Sequence, residues 1–232
     1  MSKYLGLVLK APLQSWGLSG KFDKRTTYAY PTKSALVGML CAALGKDKYA
    51  EEFDDLSELN SLAYECFLVD DKSKKLKKFR YMTDFHSIAG GLDRGSRIDR
   101  LFMMRSADGK IKNDAKITTR DYLQDTTFIV LIGGELDVLE KLSQALKDPK
   151  WGVWLGRKSC IASEPICRGL YDTKELALEA IFKQLNAIGA DCGIIGELSS
   201  AEGGVFDRDD CIFDEVISFR DRKFASRNVI IK

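Results

Sequence analysis

The sequence lacks several features that would assign it to a metal-dependent, secreted or membrane class. Its 232 residues contain a single histidine, His86, and six cysteines with no Cys-x-x-Cys pair, whereas zinc sites use closely spaced Cys and His ligands. No apolar stretch approaches the roughly 18 residues that a membrane-spanning helix needs. The first residues do not combine a charged region with an apolar run, as a secretory signal does. We therefore expect a soluble, cytoplasmic protein with reduced cysteines, no metal and no other cofactor.

Positive and negative charges are segregated along the chain, although the net charge is only +2. Basic residues outnumber acidic ones six to one in Ser2–Ser34, six to two in Asp70–Arg80 and eight to four in His86–Arg120. Acidic residues collect instead in Asp47–Glu58 and Asp191–Glu215. Such asymmetry indicates a polyanionic ligand on one side of the protein. A solvated charged surface is the alternative explanation for any single cluster.

The stretch from Tyr28 to Gly45 predicts a buried helix. Pro31 cannot sit inside a helix, and Thr32 is suited to cap the first turn with its hydroxyl. Nearly every residue in Ala35–Leu44 is apolar, which indicates burial on most of the helix surface. Gly45 is placed to end the helix in a left-handed conformation.

The first turn of this predicted helix is polar, in contrast to the rest. Lys33 and Ser34 lie beside backbone N–H groups that have no partner within the helix. These donors and the helix dipole favour an anion, so we expect the first turn to face a phosphate. The alternative is an ordinary capped core helix with Lys33 in solvent.

The remaining apolar patterns predict a mixed α+β fold. The predicted strands are Tyr4–Leu9, Leu62–Val69, one beginning near Phe79, Phe128–Ile132 and Trp151–Leu155, and a second amphipathic helix spans Glu135–Leu146. Their order is that of an RRM-like (ferredoxin-like) domain, which we assign to residues 1–163. Residues 164–232 are predicted to form a small C-terminal β-rich subdomain with one helix, Thr173–Asn186, and short strands near Cys192–Ile195 and Ile212–Phe219.

Residues 82–120 have little sustained periodicity and are predicted to form a long functional loop. The segment combines bulky apolar residues with arginines at short intervals, namely Arg94, Arg97, Arg100 and Arg105. Single-stranded nucleic acid is bound by such a combination of phosphate-binding charge and base-contacting apolar groups. An insertion without a role is the alternative.

Further candidate ligands lie on either side of the predicted helix in the sequence. The loop after the first strand contributes Gln14, Ser15, Trp16, Lys21 and Arg25. Gly156 would let the backbone approach a ligand, Arg157 and Lys158 offer charges for phosphate, and Arg168 follows shortly. The glycine spacing of a Walker motif is absent. Trp16 is equally explained as a core residue.

Several motifs occur together in an order that resembles the CasD family of CRISPR-associated proteins, a subunit of the type I-E Cascade complex. They are Leu13–Gly17, Pro31–Ser34 with a helix ending in Ala42–Gly45, Arg120–Asp125, Leu155–Cys160 and the basic tail Arg220–Arg227, which reads Arg-Asp-Arg-Lys-Phe-Ala-Ser-Arg. The resemblance spans most of the chain.

The resemblance implies an RRM-like body that binds the 5′ handle of a guide RNA, with a β-hairpin thumb at about residues 82–120. It further implies neighbouring Cascade backbone and large subunits as partners, an indirect relation to target DNA and no membrane. Gln14, Ser15, Trp16, Lys33, Ser34, Arg157 and Lys158 would cradle the handle, with Trp16 stacked on a base. Arg94–Arg105 would follow the sugar–phosphate chain.

Two other functions stay open at the level of sequence. The first is a metal-independent endoribonuclease that processes CRISPR precursor RNA, with His86 as acid or base and Tyr28, Tyr30 or Lys33 assisting. The second is a scaffold that binds only protein partners.

Overall fold

The computed structural model describes residues 3–17, 20–21, 23–49, 56–71, 80–88, 104–106, 108–112, 116–186, 192–200 and 209–231. Its elements, in chain order, are β1 (Lys3–Gln14), β2 (Gly20–Lys21), β3 (Lys24–Arg25), α1 (Lys33–Leu44), α2 (Ser57–Ser61), β4 (Ala63–Asp71), β5 (Arg80–Ile88), β6 (Met104–Arg105), β7 (Ile111–Lys112), β8 (Lys116–Gly134), α3 (Leu136–Lys147), β9 (Cys167–Tyr171), α4 (Lys174–Asn186), β10 (Cys192–Ser200), β11 (Asp209–Ser218) and β12 (Lys223–Ile231). The mixed α+β class is as predicted. None of the described helices has the length and apolarity for a membrane crossing.

Ten of the described strands form one sheet at the centre of the molecule. Its main path runs β11-β12-β10-β4-β8-β1-β9, and β1 pairs antiparallel with β8 over most of its length, with Leu7 opposite Val130. The middle strands are apolar on both faces because helices cover both faces. One face packs on α1 and α3 through residues such as Leu7 and Phe128, and the other packs on α4 through Val8 and Ile129.

Helix α1 begins and ends where the sequence predicts. The Thr32 hydroxyl accepts a hydrogen bond from the Ala35 N–H at 3.3 Å. Gly45 adopts φ 71°, and its N–H donates to the Ala42 carbonyl. The helices predicted at Glu135–Leu146 and Thr173–Asn186 are also confirmed, as α3 and α4.

The prediction of a strand at Trp151–Leu155 is wrong. The N–H groups of Lys150 and Trp151 donate instead to the last-turn carbonyls of α1, Ala43 O and Ala42 O. The chain then turns, because Leu155 N–H bonds to Cys160 O at 2.8 Å. These N–H groups therefore bond to the end of a helix and within a turn, so they are not available for a strand ladder. The strand that pairs with β1 on this side is β9, Cys167–Tyr171.

The prediction of a loop over residues 82–120 is wrong at both ends of that range. β5 pairs antiparallel with the first half of β8, from Arg80 opposite Gln124 to Ile88 opposite Lys116. We call this pair the ribbon. Tyr81, Thr83 and Phe85 are exposed while the residues between them are half-buried, which is the two-residue period of a strand. Residues 89–103 lie outside the described residues.

The ribbon joins the body of the sheet at an irregular point of β8. Asp125 has φ 50°, and the pairing with β1 passes from Ala11 opposite Thr126 to Leu13 opposite Gln124. Pro12 stands between those two β1 residues and has no N–H to donate. One rung of the ladder is therefore missing where the ribbon begins.

Strands from both sides of the predicted boundary at residue 164 share the sheet. β9 pairs with β1, and β10 pairs with β4. The predicted strands near Cys192–Ile195 and Ile212–Phe219 are confirmed within β10 and β11, whereas β12 includes much of the segment read from sequence as a basic tail. The division into two domains stays a prediction.

Candidate nucleic-acid interface

The side chains at the end of β1 point mostly into the protein. The Gln14 amide donates to Leu9 O at 3.1 Å and to Thr126 O at 2.6 Å. Trp16 is 1% exposed and belongs to the core, so the expectation that it stacks on a base is wrong and the core explanation holds. These two side chains support the loop, and the backbone of Gly17 reaches the surface.

The turn after Trp154 packs directly against that loop. Gly156 adopts φ 97°, and a Cβ atom built on it would lie 1.7 Å from Ser15 O. Ser15 N–H in turn donates to Leu155 O at 3.2 Å. The close backbone approach expected of Gly156 is thus to Ser15, not to a ligand.

Arg157 connects three segments of the interface. Its Nη1 donates to Asp121 O at 3.1 Å, and its Nη2 donates to Arg25 O at 2.9 Å. Its guanidinium lies 4.5 Å from the Tyr122 ring centroid, an arrangement favourable for a cation and an aromatic face. Ser15 Oγ also donates to Asp121 O, at 3.2 Å. Arg157 therefore holds the loops around β8 together, and both of its Nη groups donate to carbonyls within the protein.

Exposed cations near this junction include Arg25 and Lys158. Arg25 lies in β3, which pairs in parallel with β8 beside Arg120. Lys158 Nζ lies 5.8 Å from the ring centroid of Trp154, which is 36% exposed. Positive charge and an accessible indole thus occur on adjacent segments.

A cleft of about 330 Å³ separates the first turns of α1 from the turn at Trp154. We call it the polar cleft. Its lining includes the Thr32 and Ser34 hydroxyl residues together with Gly17, Trp154 and Gly156. The structure therefore brings Ser34 together with the loop at Gly17 and the turn at Gly156.

One backbone donor at the N-terminus of α1, the Lys33 N–H, already binds an anion. The Asp214 carboxylate of β11 accepts a hydrogen bond from Lys33 N–H at 2.6 Å, and Arg227 binds the same carboxylate through Nε at 2.7 Å. Asp214 is 1% exposed. The expectation that a phosphate binds this N-terminus is wrong at the Lys33 N–H, because an internal carboxylate occupies that position.

The Lys33 side chain is also turned inward. It is 7% exposed, and its ammonium donates to Asn60 O at 2.8 Å and lies 3.4 Å from Glu215. Lys33 and Arg157 therefore contact different segments, and the structure does not bring their charges to a shared pocket.

The other predicted ligands have varied positions. Arg168 is mostly buried and pairs with Glu164 at 2.5 Å, while Arg105 is exposed and donates to Gly109 O within the short β6–β7 hairpin. The side chain of Lys21 and the whole of Arg94, Arg97 and Arg100 lie outside the described residues.

Glu164 is held between two cations. Burial acts to raise its pKa, but hydrogen bonds from Lys10 and Arg168 hold the pKa of Glu164 below its ordinary value. Lys10 Nζ lies 2.6 Å from Glu164 Oε1. Arg168 is thereby neutralised within the fold.

His86 lies in strand β5 and not in a loop. Its Nε2 is 2.6 Å from Asp84 Oδ2, and Arg120 stands opposite Asp84 in the ladder. The proposed assistant Tyr30 is 5% exposed, and burial raises its pKa. Among the described residues, no group of three or more His, Cys, Asp or Glu side chains could hold a metal ion.

Sequence reasoning missed the residues whose roles depend on distant partners. Asp214 meets α1 across 181 positions of sequence, and no local pattern identifies it. Trp154 had a clearer signal, because an aromatic residue in a turn next to Lys158 combines the two groups that single-stranded RNA uses.

Comparisons with known proteins agree with the order of motifs. A family model described as CRISPR-associated protein (Cas_Cas5) matches residues 4–229. The CRISPR system Cascade subunit CasD of Escherichia coli (strain K12) is 29% identical over 180 residues, which cover 73% of this chain and 71% of that protein. These findings confirm the resemblance.

Two solved structures resemble the fold. A chain described as "CRISPR RNA-guided surveillance complex" has a TM-score of 0.70 and 22% identity, covering 99% of this chain and 89% of its own. Another, described as "Crystal structure of Cas protein", has a TM-score of 0.62 and 28% identity, covering 99% of this chain and 93% of its own.

Proposed function

The chain belongs to the CRISPR-associated protein (Cas_Cas5) family, and from this premise we propose that it is a non-catalytic RNA-binding subunit of a type I Cascade surveillance complex. In this function it holds the 5′ handle of the CRISPR guide RNA during antiviral defence. The E. coli relative is itself named as a Cascade subunit, which supports the assignment.

The observation that carries the proposal is the pair of exposed cations on two segments that Arg157 joins, directly after the cleft residue Gly156. Arg25 and Lys158 are held on neighbouring segments because Arg157 binds the carbonyl of Arg25 and precedes Lys158 directly. RNA phosphates would lie against these two charges, and the Ser34 hydroxyl would donate from the cleft. Arg157 is a positioning residue in this scheme.

Base recognition would come from the exposed aromatic surface. Trp154 replaces Trp16 as the stacking residue, because its indole is accessible and lies beside a cation. Stacking of this kind tolerates different bases. A defined handle sequence would be read through base edges in the cleft.

We infer that the body has the RRM-like (ferredoxin-like) arrangement. The sheet order β4-β8-β1-β9 supports this, since it places the two outer strands of a split βαβ on either side of the central pair. The ribbon is then the base of a thumb that spans about residues 82–120, and its arginines Arg94, Arg97 and Arg100 would follow the RNA chain.

Neighbouring Cascade backbone and large subunits are the proposed protein partners, with target DNA contacted indirectly, in the cytoplasm. Exposed apolar side chains on one face of the ribbon support a packed partner there. Tyr81, Phe85 and Ile117 are 54%, 72% and 59% exposed, and Phe85 is a diagonal neighbour of Ile117 in the ladder.

The affinity of charge-reversal variants for single-stranded RNA tests this function. The double variant Arg25→Glu with Lys158→Glu is compared with Lys141→Glu plus Lys183→Glu, which makes the same charge change on exposed helix positions. We expect the first pair to weaken binding on the order of tenfold at low salt and to reduce the salt slope by about 1.4, because each phosphate contact contributes about 0.7. Equal affinity losses in both double variants would contradict a localised site.

The non-catalytic part of the proposal has its own experiment. Purified chain is incubated with labelled CRISPR precursor RNA in the presence of EDTA, alongside His86→Ala. We expect no specific cleavage by either protein. Cleavage that the histidine variant loses would establish the endoribonuclease instead, with the Asp84–His86 pair as its acid–base group.

A further inference from the structure

A second cavity continues the polar cleft toward the other end of α1. It has a volume of about 530 Å³, and we call it the aromatic pocket. The two cavities share four lining residues: Gly38, Ala42, Phe219 and Phe224. A single groove therefore runs along α1, whose 12 residues span about 18 Å.

The floor of the aromatic pocket is small and uncharged. Gly38 has no side chain there, and a Cβ atom on it would lie 3.5 Å from Phe219 Cζ. Cys41 also lines the floor, and burial raises the pKa of its thiol to about 11. The thiol is therefore protonated at neutral pH, so the floor offers no charge to repel or bind a ligand.

The walls of the pocket are aromatic and fixed in position. Trp151 is 47% exposed, and its backbone N–H donates to Ala42 O at 3.2 Å. On the C-terminal side, the Phe219 and Phe224 rings meet edge to face, with centroids 6.3 Å apart. An accessible indole on a hydrogen-bonded backbone is available for stacking on a base.

The mouth of the pocket is predominantly basic. Lys46, Lys48 and Arg222 line it against one acid, Asp47. All four lie at the same end of the groove, where α1 ends. The carbonyls of Cys41, Ala42 and Ala43 in the last turn accept hydrogen bonds from other backbone N–H groups, which lessens the repulsion that an exposed helix C-terminus exerts on an anion.

We propose that the aromatic pocket receives one unpaired nucleobase of the bound RNA, stacked on Trp151, with its flanking phosphates at Lys46, Lys48 and Arg222. This inference rests on the proposed function, because the same RNA would enter through the polar cleft. An apolar floor, aromatic walls and a cationic mouth match a nucleotide in shape and charge. An acidic protein segment matches the charge alone.

The test uses the full chain and a fluorescein-labelled random-sequence 12-mer of single-stranded RNA, with anisotropy measured at several salt concentrations. Trp151→Ala is expected to weaken binding about 5- to 150-fold, the loss of one stacked base, with an unchanged salt slope. Trp151→Phe retains a ring and should recover most of the affinity. Phe213→Ala, which removes an exposed aromatic residue of β11, is the matched control and should bind as the unmodified chain does.

The possible outcomes separate the inference from the function on which it rests. If the unmodified chain binds RNA with a salt-dependent affinity that Trp151→Ala leaves unchanged, the pocket does not hold a base and the inference is overturned. If the unmodified chain binds no RNA, the proposed function fails first. If Trp151→Ala keeps its RNA affinity but no longer assembles with partner subunits, the occupant is a protein segment and the inference is again overturned.

Discussion

Replacing Asp214 by asparagine should strongly destabilise the protein. The carboxylate is 1% exposed and accepts hydrogen bonds from Lys33 N–H at 2.6 Å, Arg227 Nε at 2.7 Å and Arg227 Nη2 at 3.0 Å. Asparagine preserves the shape but leaves the mostly buried Arg227 charge without its counterion. Removal of one partner from a buried ion pair costs about 3–5 kcal/mol.

The expected loss combines two effects of this one carboxylate. An anion at a helix N-terminus contributes up to about 2 kcal/mol when partly buried, and the rest comes from Arg227. We expect a decrease of about 3 kcal/mol in the free energy of unfolding, a large part of the roughly 5–15 kcal/mol that stabilises a domain. With a urea m-value of about 2 kcal/mol/M, the midpoint should fall by about 1.5 M.

Urea unfolding followed by both circular dichroism and tryptophan fluorescence measures this change and tests whether the transition is two-state. Asp221→Asn is the matched control, because Asp221 is exposed in the turn between β11 and β12 and lies 3.9 Å from Lys223. It should change stability by no more than about 0.5 kcal/mol. A loss below about 1 kcal/mol in Asp214→Asn would refute the argument that this carboxylate anchors the C-terminal strands to α1.

Three further variants probe the interface and its supports. Gly156→Ala should lower the free energy of unfolding by at least about 2 kcal/mol, because its Cβ would lie 1.7 Å from Ser15 O at an unfavourable φ; a melting temperature equal to that of the unmodified chain would contradict this close approach. Arg157→Lys should lower the free energy of unfolding by about 1–2 kcal/mol and weaken RNA binding through displaced loops, since lysine cannot reproduce the two guanidinium donors or the stacking on Tyr122. Unchanged stability and affinity would show that the guanidinium is dispensable. Glu164→Gln should lower the free energy of unfolding near pH 7, because a carboxylate with a lowered folded-state pKa stabilises the protein only while it is ionised. The difference from the unmodified chain should shrink as the pH falls below about 4.3, the ordinary pKa of glutamate. A difference that denaturant titrations find independent of pH would contradict this.

The parts predicted from sequence are those with local physical causes. The N-cap Thr32 and the left-handed Gly45 define α1 within one segment, and the amphipathic spacing of α3 identifies it without knowledge of its neighbours. The segment Trp151–Leu155 has an equally local pattern, but its backbone donors are used by α1, a partner that the pattern does not reveal.

The sequence predicted which loops of the candidate site lie close together better than it predicted which side chains are free to contact a ligand. The loops around Ser15 and Gly156 do meet, because their small residues permit a close backbone approach. The charges of Lys33 and Arg168 are internal, since each has a carboxylate partner that is distant or ambiguous in sequence. Charge alone did not distinguish a phosphate ligand from a buried counterion.

The length of β8 connects the position of the far end of the ribbon to the core. This strand of 19 residues spans about 63 Å at 3.3 Å per residue, and it runs continuously from the core into the ribbon. Asp125, with φ 50°, lies where β8 passes from its pairing with β1, Thr126 opposite Ala11, to the ribbon. Because β8 belongs to both the core sheet and the ribbon, the packing of the core sets the position of the ribbon relative to any partner that binds it.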